Sequence, residues 1–298
     1  MTSSSKITCV FTAIGSPWLS PTNTGLGNVL FQISTTIGLG KRFNREASFP
    51  ELITLRDKYR TLGLADYSST IFRKINTDAV KDFAQLDEEF ACPQRVDHAL
   101  LEKIQQTPGN IKLMGYLQSH KYFDEHREIL LDLFSIDNVS RSYISSKYPR
   151  IDDKKCTPIS LHVRQCYGYN IRYGPDYFND AVRCMTEKVE NPVFFVFSDD
   201  IKWCKENIHT PEGTVYVEGN PDFIDLWLMS LCSHNIISHS TFSWWGAYLN
   251  QNPDKMVTFP YDILRLYWSQ IYSEPTDLLR LTEHYFEDWI PNKTRTII

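Results

Sequence analysis

What this sequence lacks narrows its function first. No stretch approaches the roughly 18 consecutive apolar residues of a membrane-spanning helix. The N-terminal MTSSSKITCVFTAIG carries one lysine and a short apolar run that suits a first strand better than a signal peptide. Positive charge is not in excess: 31 Lys and Arg against 36 Asp and Glu leave a net charge of −5. That is the wrong sign for a face that contacts nucleic-acid phosphates. The seven cysteines, Cys9, Cys92, Cys156, Cys166, Cys184, Cys204 and Cys232, include no C-x-x-C pair. Their odd number and scatter argue for reduced thiols and against a disulfide framework or a zinc site. Internal repeats and low-complexity tracts are absent. The N-x-S/T sequons at Asn138 and Asn292 would matter only in a secretory compartment and are read as chance. These absences predict a soluble, cytoplasmic protein with no membrane span and no nucleic-acid partner.

What is present is ordinary in amount and informative in order. The 298 residues, 42% apolar and 22% charged, are enough for two domains, each with its own core. Short apolar runs alternate with amphipathic helical patterns, which predicts βαβ units around parallel sheets. In the first half, strands are expected over 6–14 and 111–117, a Gly/Pro/Ser-rich loop over 15–24, and helices over 25–42 and from about 121. A polar stretch over 137–155, containing Pro149, is the expected linker. It divides the chain into an N-terminal Rossmann-like domain, 1–150, and a C-terminal nucleotide-binding domain, 151–298, with the final helices free to pack back on the first. The second half predicts strands at 159–163, 193–197, near 215 and at 235–238. Helices are expected at 176–189, 201–207, 223–232 and 242–249.

In such folds ligands bind outside the carboxyl ends of the strands, so the residues there are the candidates. DLWLMSLCSHNIISHSTFSWWGAYLN, from Asp225, runs from a helix through a short strand into Ser240, Thr241 and Phe242 at the start of another helix. A helix start offers free N–H groups and the positive dipole end to an anion; simple capping by Ser240 is the plainer reading. His162 and Arg164, in LHVRQCYGYN, share one side of their strand, with Val163 on the other. An arginine fork matches a diphosphate, although a surface ion pair would also account for it, and His162 alone is commonly a hydrogen-bonded core residue. Ser198, Asp199 and Asp200 are open to three readings: a metal-binding acidic pair, a helix cap, or a carboxylate beside a ribose. Asp225 stands at a helix first turn, suited to accept N1–H and N2–H of guanine or to complement the dipole. Gly25 and Gly27 in TGLGNVLFQ allow close approach to a backbone, with Asn28 as a first helical donor. For a general base His162 and Asp176 are available, and Asp176 suits the N-cap of its helix better.

These segments resemble glycosyltransferase family 11, the α-1,2-fucosyltransferase-like family. The likeness is carried by TGLGNVLFQ, GYLQSHKYF, LHVRQCY, FSDDIKWCKENI and DLWLMSLCSHNIISHSTFSWWGAYLNQNP, in the family's order. It implies a GT-B-like α/β fold, with two Rossmann-like domains whose parallel sheets face across a cleft. It also implies metal-independent, inverting transfer of fucose from GDP-fucose to a glycan, with no cofactor beyond the nucleotide-sugar donor. By the same likeness Arg164 contacts the donor diphosphate, Ser240, Thr241 and Phe242 hold its phosphates, and Asp225 lies near the base. Asp199, Gly25, Gly27 and Asn28 complete the expected donor side. The chain departs from the family's H-x-R-R-G-D pattern at Gln165, Cys166 and Tyr167. Loss of the second guanidinium removes a contact worth about 1.5–3 kcal/mol. A different donor, such as GDP- or UDP-linked rhamnose or xylose, would accommodate the change. A non-catalytic glycan- or nucleotide-binding relative, or a metal-dependent transferase using Asp199 and Asp200, are the rival classes.

Overall fold

Two segments, TPISLHV and PVFFVFS, are apolar on both faces, and such strands belong in the middle of a parallel sheet covered by helices. The structure, a computed structural model, describes residues 5–11, 25–52, 67–88, 95–165, 174–261 and 284–292. The expected loop over 15–24, and Cys92, Cys166 and Tyr167, lie outside them. The chain forms two compact units, Met1–Ile136 with Asp277–Phe286 and Asp137–Thr276 with Glu287–Ile298.

The first unit holds strands β1 (Lys6–Cys9), β2 (Glu46–Ala47), β3 (Phe83–Asp87) and β4 (Asn110–Met114). They pair in parallel in the order β2-β1-β4-β3. Helix α1 (Leu26–Arg42) is buried along most of its length. It comes close to its neighbours because Gly38 and Gly40 carry no Cβ: one at Gly38 would lie 2.8 Å from Phe123 Cα, and one at Gly40 2.9 Å from Arg45 O. Helix α2 (His98–Gln106), capped by the Asp97 carboxylate on Leu100 N–H at 2.9 Å, was not expected. The helix expected from about 121 starts later. Two 3-10 turns, His120–Tyr122 and Asp124–His126, precede α3 (Arg127–Leu133).

The second unit opens with a correction. Residues 137–155, expected as a linker, contain α4 (Asn138–Lys147) and a 3-10 turn, Pro149–Ile151. Asp137 caps α4 through Ser140 N–H at 2.9 Å, and Ser140, Ile144 and Tyr148, four residues apart, form its buried stripe. The sheet contains β5 (Thr157–Val163), β6 (Pro192–Ser198), β7 (Val215–Tyr216), β8 (His234–Ile236), β9 (Val257–Pro260) and β10 (Ile290–Asn292). All pair in parallel, in the order β10-β9-β8-β5-β6-β7. Helices α5 (Pro175–Lys188), α6 (Ile201–Asn207), α7 (Asp222–Leu231) and α8 (Thr241–Leu249) connect them.

Alternation assigns the two faces of this sheet. Ile159, Leu161 and Val163 pack with Tyr177, Phe178, Ile201 and Cys204 from α5 and α6. On the opposite face Ser160 accepts a hydrogen bond from Asn235, which α7 holds through Met229 O and α8 through Asn250. Trp227, Trp244 and Trp245 are buried, so the tryptophans of the signature segment are core residues. Read from β7, the order runs third, second, first, fourth, fifth, sixth. This is a doubly wound sheet whose direction of winding reverses between β5 and β8. Among the described residues no helix is long and apolar enough to cross a membrane. The described cysteines are free thiols, and burial pushes Cys9 up to about 12 and Cys204 up to about 11.

Candidate donor site

Where a doubly wound sheet reverses, adjacent loops part and leave room for a ligand. Here the reversal brings together the ends of β5 and β8. Leu161 registers with Ile236, so the chain at 163–164 runs beside 238–239. Beyond β8, Ser240 is the N-cap of α8, its hydroxyl accepting from Phe242 N–H at 3.3 Å. Thr241 begins the helix. His162 is buried between the two loops, with Nδ1 2.9 Å from Ser238 Oγ and its ring 5.6 Å from that of Phe242. Burial, and secondarily the Arg164 charge, push its imidazole down to about 3. A group so weakly basic is neutral at physiological pH and poorly matched to receiving an acceptor proton. His239, which sequence reasoning passed over, lies in the same loop and is pushed down to about 4 by burial.

Arg164 leaves the end of β5 about half exposed, its Nη1 3.4 Å from Asp199 Oδ2. The other Asp199 oxygen accepts the Gln165 N–H at 2.9 Å, so this carboxylate secures the turn after β5. Gln165 is buried, and its side-chain nitrogen has no partner among the described residues. Asp200 is the cap expected of the acidic pair: it accepts Trp203 N–H at 2.8 Å, and its own N–H reaches Ser198 Oγ. Asp176 is not a cap. Gly174 holds that position, Pro175 occupies the first helical place, and Asp176 follows in the first turn.

One strand further on, the loops after β6 and β7 border an open cavity of about 390 Å³, lined by Asp199, Asp200, Lys202, Glu218, Gly219 and Asp225. Burial raises the Asp225 carboxyl to about 6. Asn220 opposes the rise by a hydrogen bond, the charge of Asp222 adds to it, and that of Lys147 opposes it. Asn220 Nδ2 donates to Asp225 Oδ1 at 2.7 Å and to Tyr148 OH at 2.7 Å. Tyr148 is 72 residues from Asn220 in sequence, and no motif announces either residue.

Gly25, Gly27 and Asn28 belong to the first unit. Gly25 is the N-cap of α1 with an ordinary φ of −65°, and a Cβ added there would meet nothing within 4 Å. Gly27 is buried in the first turn. Asn28 Oδ1 accepts from Gln118 Nε2 at 3.0 Å. The run expected as strand through 117 turns instead at Leu117, whose φ is +54°. There Glu88, at the end of β3, accepts the Leu117 N–H at 2.8 Å, and burial raises its carboxyl to about 8. Sequence reasoning did not single out Glu88.

Comparison with known proteins bears on most of the chain. The family model for glycosyl transferase family 11 matches residues 111–262. An α-1,2-colitosyltransferase of Escherichia coli is 31% identical over 263 residues, 78% of this chain and 87% of that protein. The O-antigen biosynthesis glycosyltransferase WbnK of the same organism is 33% identical over 169 residues, 52% of this chain and 56% of its own length. In fold, the crystal structure of fucosyltransferase NodZ from Bradyrhizobium aligns with TM-score 0.51 at 9% identity, over 82% of this chain and 92% of that one. Two α/β units with parallel sheets, a fold shared with GT-B enzymes, and a family match across half the sequence agree: this chain is a glycosyltransferase and belongs to glycosyl transferase family 11, with fucosyltransferase-like relatives.

Proposed function

We propose that this chain transfers L-fucose from GDP-fucose to a hydroxyl of a glycan, with inversion and without a metal ion or other cofactor. The observation that carries the reading is the reversal point of the second sheet. There an arginine after β5 and a capped helix start after β8 lie on adjacent strands. Neighbouring strands are about 4.8 Å apart, so the edge from β8 to β7 runs about 14 Å, enough for a diphosphate at one end and a base at the other. In this reading Arg164 and the first turn of α8, Ser240 to Phe242, receive the phosphates. Asp225 meets the base, and Asp199 steadies the arginine from the ribose side. Gly25, Gly27 and Asn28, in the first unit, keep the donor-binding role that the family likeness implies.

The chemistry makes one bond and breaks two: the anomeric carbon leaves the phosphate oxygen, and the acceptor hydroxyl loses its proton, late in the step, to solvent. The acceptor oxygen attacks the anomeric carbon from the face opposite the nucleotide. The departing diphosphate gains charge, which Arg164 and the positive end of α8 stabilise in place. His162, buried and neutral, fixes the β5 and β8 ends through Ser238 and Phe242 and acts as a positioning residue. A second reading, transfer of another deoxy sugar, is favoured by Gln165 in place of the family's second arginine and by the colitosyl transfer named for the 31% relative.

The test is a donor panel of GDP- and UDP-linked sugars assayed with glycan acceptors in the presence of chelator, with the product anomer read by NMR. Turnover of GDP-fucose to an inverted product with chelator present is expected. Preference for another GDP-linked deoxy sugar selects the second reading, and turnover only with UDP donors overturns both.

A further inference from the structure

Asn220 uses every hydrogen-bonding position of its amide. Its nitrogen donates to Tyr148 OH and Asp225 Oδ1, both at 2.7 Å. Its oxygen accepts from Lys147 Nζ at 2.6 Å and Tyr143 OH at 3.0 Å. Lys147 also binds Tyr143 OH and Glu218 O, both at 3.1 Å, and lies over the rings of Tyr143 and Tyr148. The ammonium of Lys147, which can only donate, and the Tyr143 hydroxyl on the oxygen side leave the amide one orientation. Its N–H then faces Asp225, which lines the cavity between the β6 and β7 loops. One carboxylate oxygen is tied by Asn220, and the other has no hydrogen-bond partner among the described residues.

We propose that Asn220 is the positioning residue through which this pocket selects its nucleobase, aiming Asp225 at the paired N–H donors on a guanine edge and against uracil. Guanine presents N1–H and an amino N–H side by side, which a carboxylate accepts together. Uracil presents a single N–H between two carbonyl oxygens, so one carboxylate oxygen would face a partially negative acceptor in place of a donor. Desolvated polar mismatches of this kind discriminate strongly. The inference rests on the reading above that Asp225 faces the donor's base. It adds that α4, from outside the Rossmann-like sheet, sets the selectivity.

Titration calorimetry with GDP and UDP tests it. Asn220→Ala is expected to weaken GDP binding about tenfold or more and UDP binding by less than about threefold. Equal weakening of both nucleotides, or an unchanged ratio, overturns the proposal. The pH profile separates positioning from general damage, because Asn220 favours the ionised form of Asp225. The charged groups around Asp225 are Asp222 on its own helix, Lys147 from α4, and Asp199, Asp200, Lys202 and Glu218 around the cavity. With those kept, GDP affinity in the wild type is expected to fall as pH drops through about 6. In Asn220→Ala that midpoint moves up, and an unmoved midpoint counts against the role. If Asn220→Ala does not fold, Lys147→Met, an exposed position, must shift ratio and midpoint in the same directions. Asp225→Asn distinguishes the two levels of the argument. If it leaves the GDP-to-UDP ratio intact, the base contact itself is wrong. If it collapses the ratio while Asn220→Ala does not, only the role of Asn220 fails.

Discussion

Arg164 and Asp225 sit on the same edge of one sheet, yet their removal should affect the protein in opposite ways. Arg164 is about half exposed and touches Asp199 at 3.4 Å, a surface pair of the kind that contributes little to folding. Arg164→Ala is therefore expected to change stability by no more than about 0.5 kcal/mol. Turnover should fall about 10²- to 10³-fold, the usual cost of deleting one preorganised charge stabiliser. Steady-state kinetics beside a thermal melt check both, and near-normal kcat would remove Arg164 from the site. Asp225 is held at a cost. Burial raises its carboxyl from 3.8 to about 6, so between those values the folded state binds a proton that the unfolded state releases. Stability from this group is fully present below the lower value and falls as pH rises through the window. Asp225→Asn keeps an acceptor for Asn220 and removes the charge. It is expected to raise stability by about 1–3 kcal/mol at pH 7.5 and to leave it nearly unchanged at pH 3.5, while GDP binding weakens. Denaturant melts at the two pH values decide, and a variant destabilised at pH 7.5 would contradict the account.

Among elements, α1 separates a glycine required by packing from one that packing does not explain. At Gly38 a Cβ would run into the Tyr122 carbonyl and lie 2.8 Å from Phe123 Cα, both main-chain atoms that cannot swing aside. At Gly25 there is open space and an ordinary φ. Gly38→Ala should cost about 1–3 kcal/mol or more, whereas Gly25→Ala should stay within about 1 kcal/mol. If Gly25 is kept open for a substrate, its alanine variant will lose turnover at full stability, and unchanged kinetics would return it to the role of a simple cap. The same contrast explains what could be read in advance. The β5, β6 and β8 runs, α6 with its Asp200 cap and α8 behind Ser240 were legible because apolar period and capping residues coincide there. Helix α4 was not, because NVSRSYISSK buries only a narrow stripe and its polar remainder looks like a linker. Strand β3, FAQLD, is mostly exposed at a sheet edge, and β10 reaches β9 only by long-range pairing, so neither leaves a local pattern. The bond of Lys147 to Asn220, 73 residues apart, is set by the fold alone.

At the scale of the whole chain, the winding of the second sheet turns separate sequence segments into one edge. The loops after β8, β5, β6 and β7 come from four places in the sequence, and strand order alone makes them neighbours. A nucleoside diphosphate laid along that edge would touch all four and nothing on the β9 and β10 side. Ligand binding stabilises what it contacts by mass action, about 2.7 kcal/mol at a hundred times Kd, and amide exchange reports that gain locally. GDP at saturation should therefore slow exchange at 164–165, 199–202, 217–225 and 238–243 together. The amides of β9 and β10, in the same sheet but beyond the reversal, should change least. Protection confined to one loop would mean that the nucleotide does not span the edge. Protection centred on β9 and β10 would place the donor on the wrong side of β8, and the roles given to Arg164 and Asp225 would fall together.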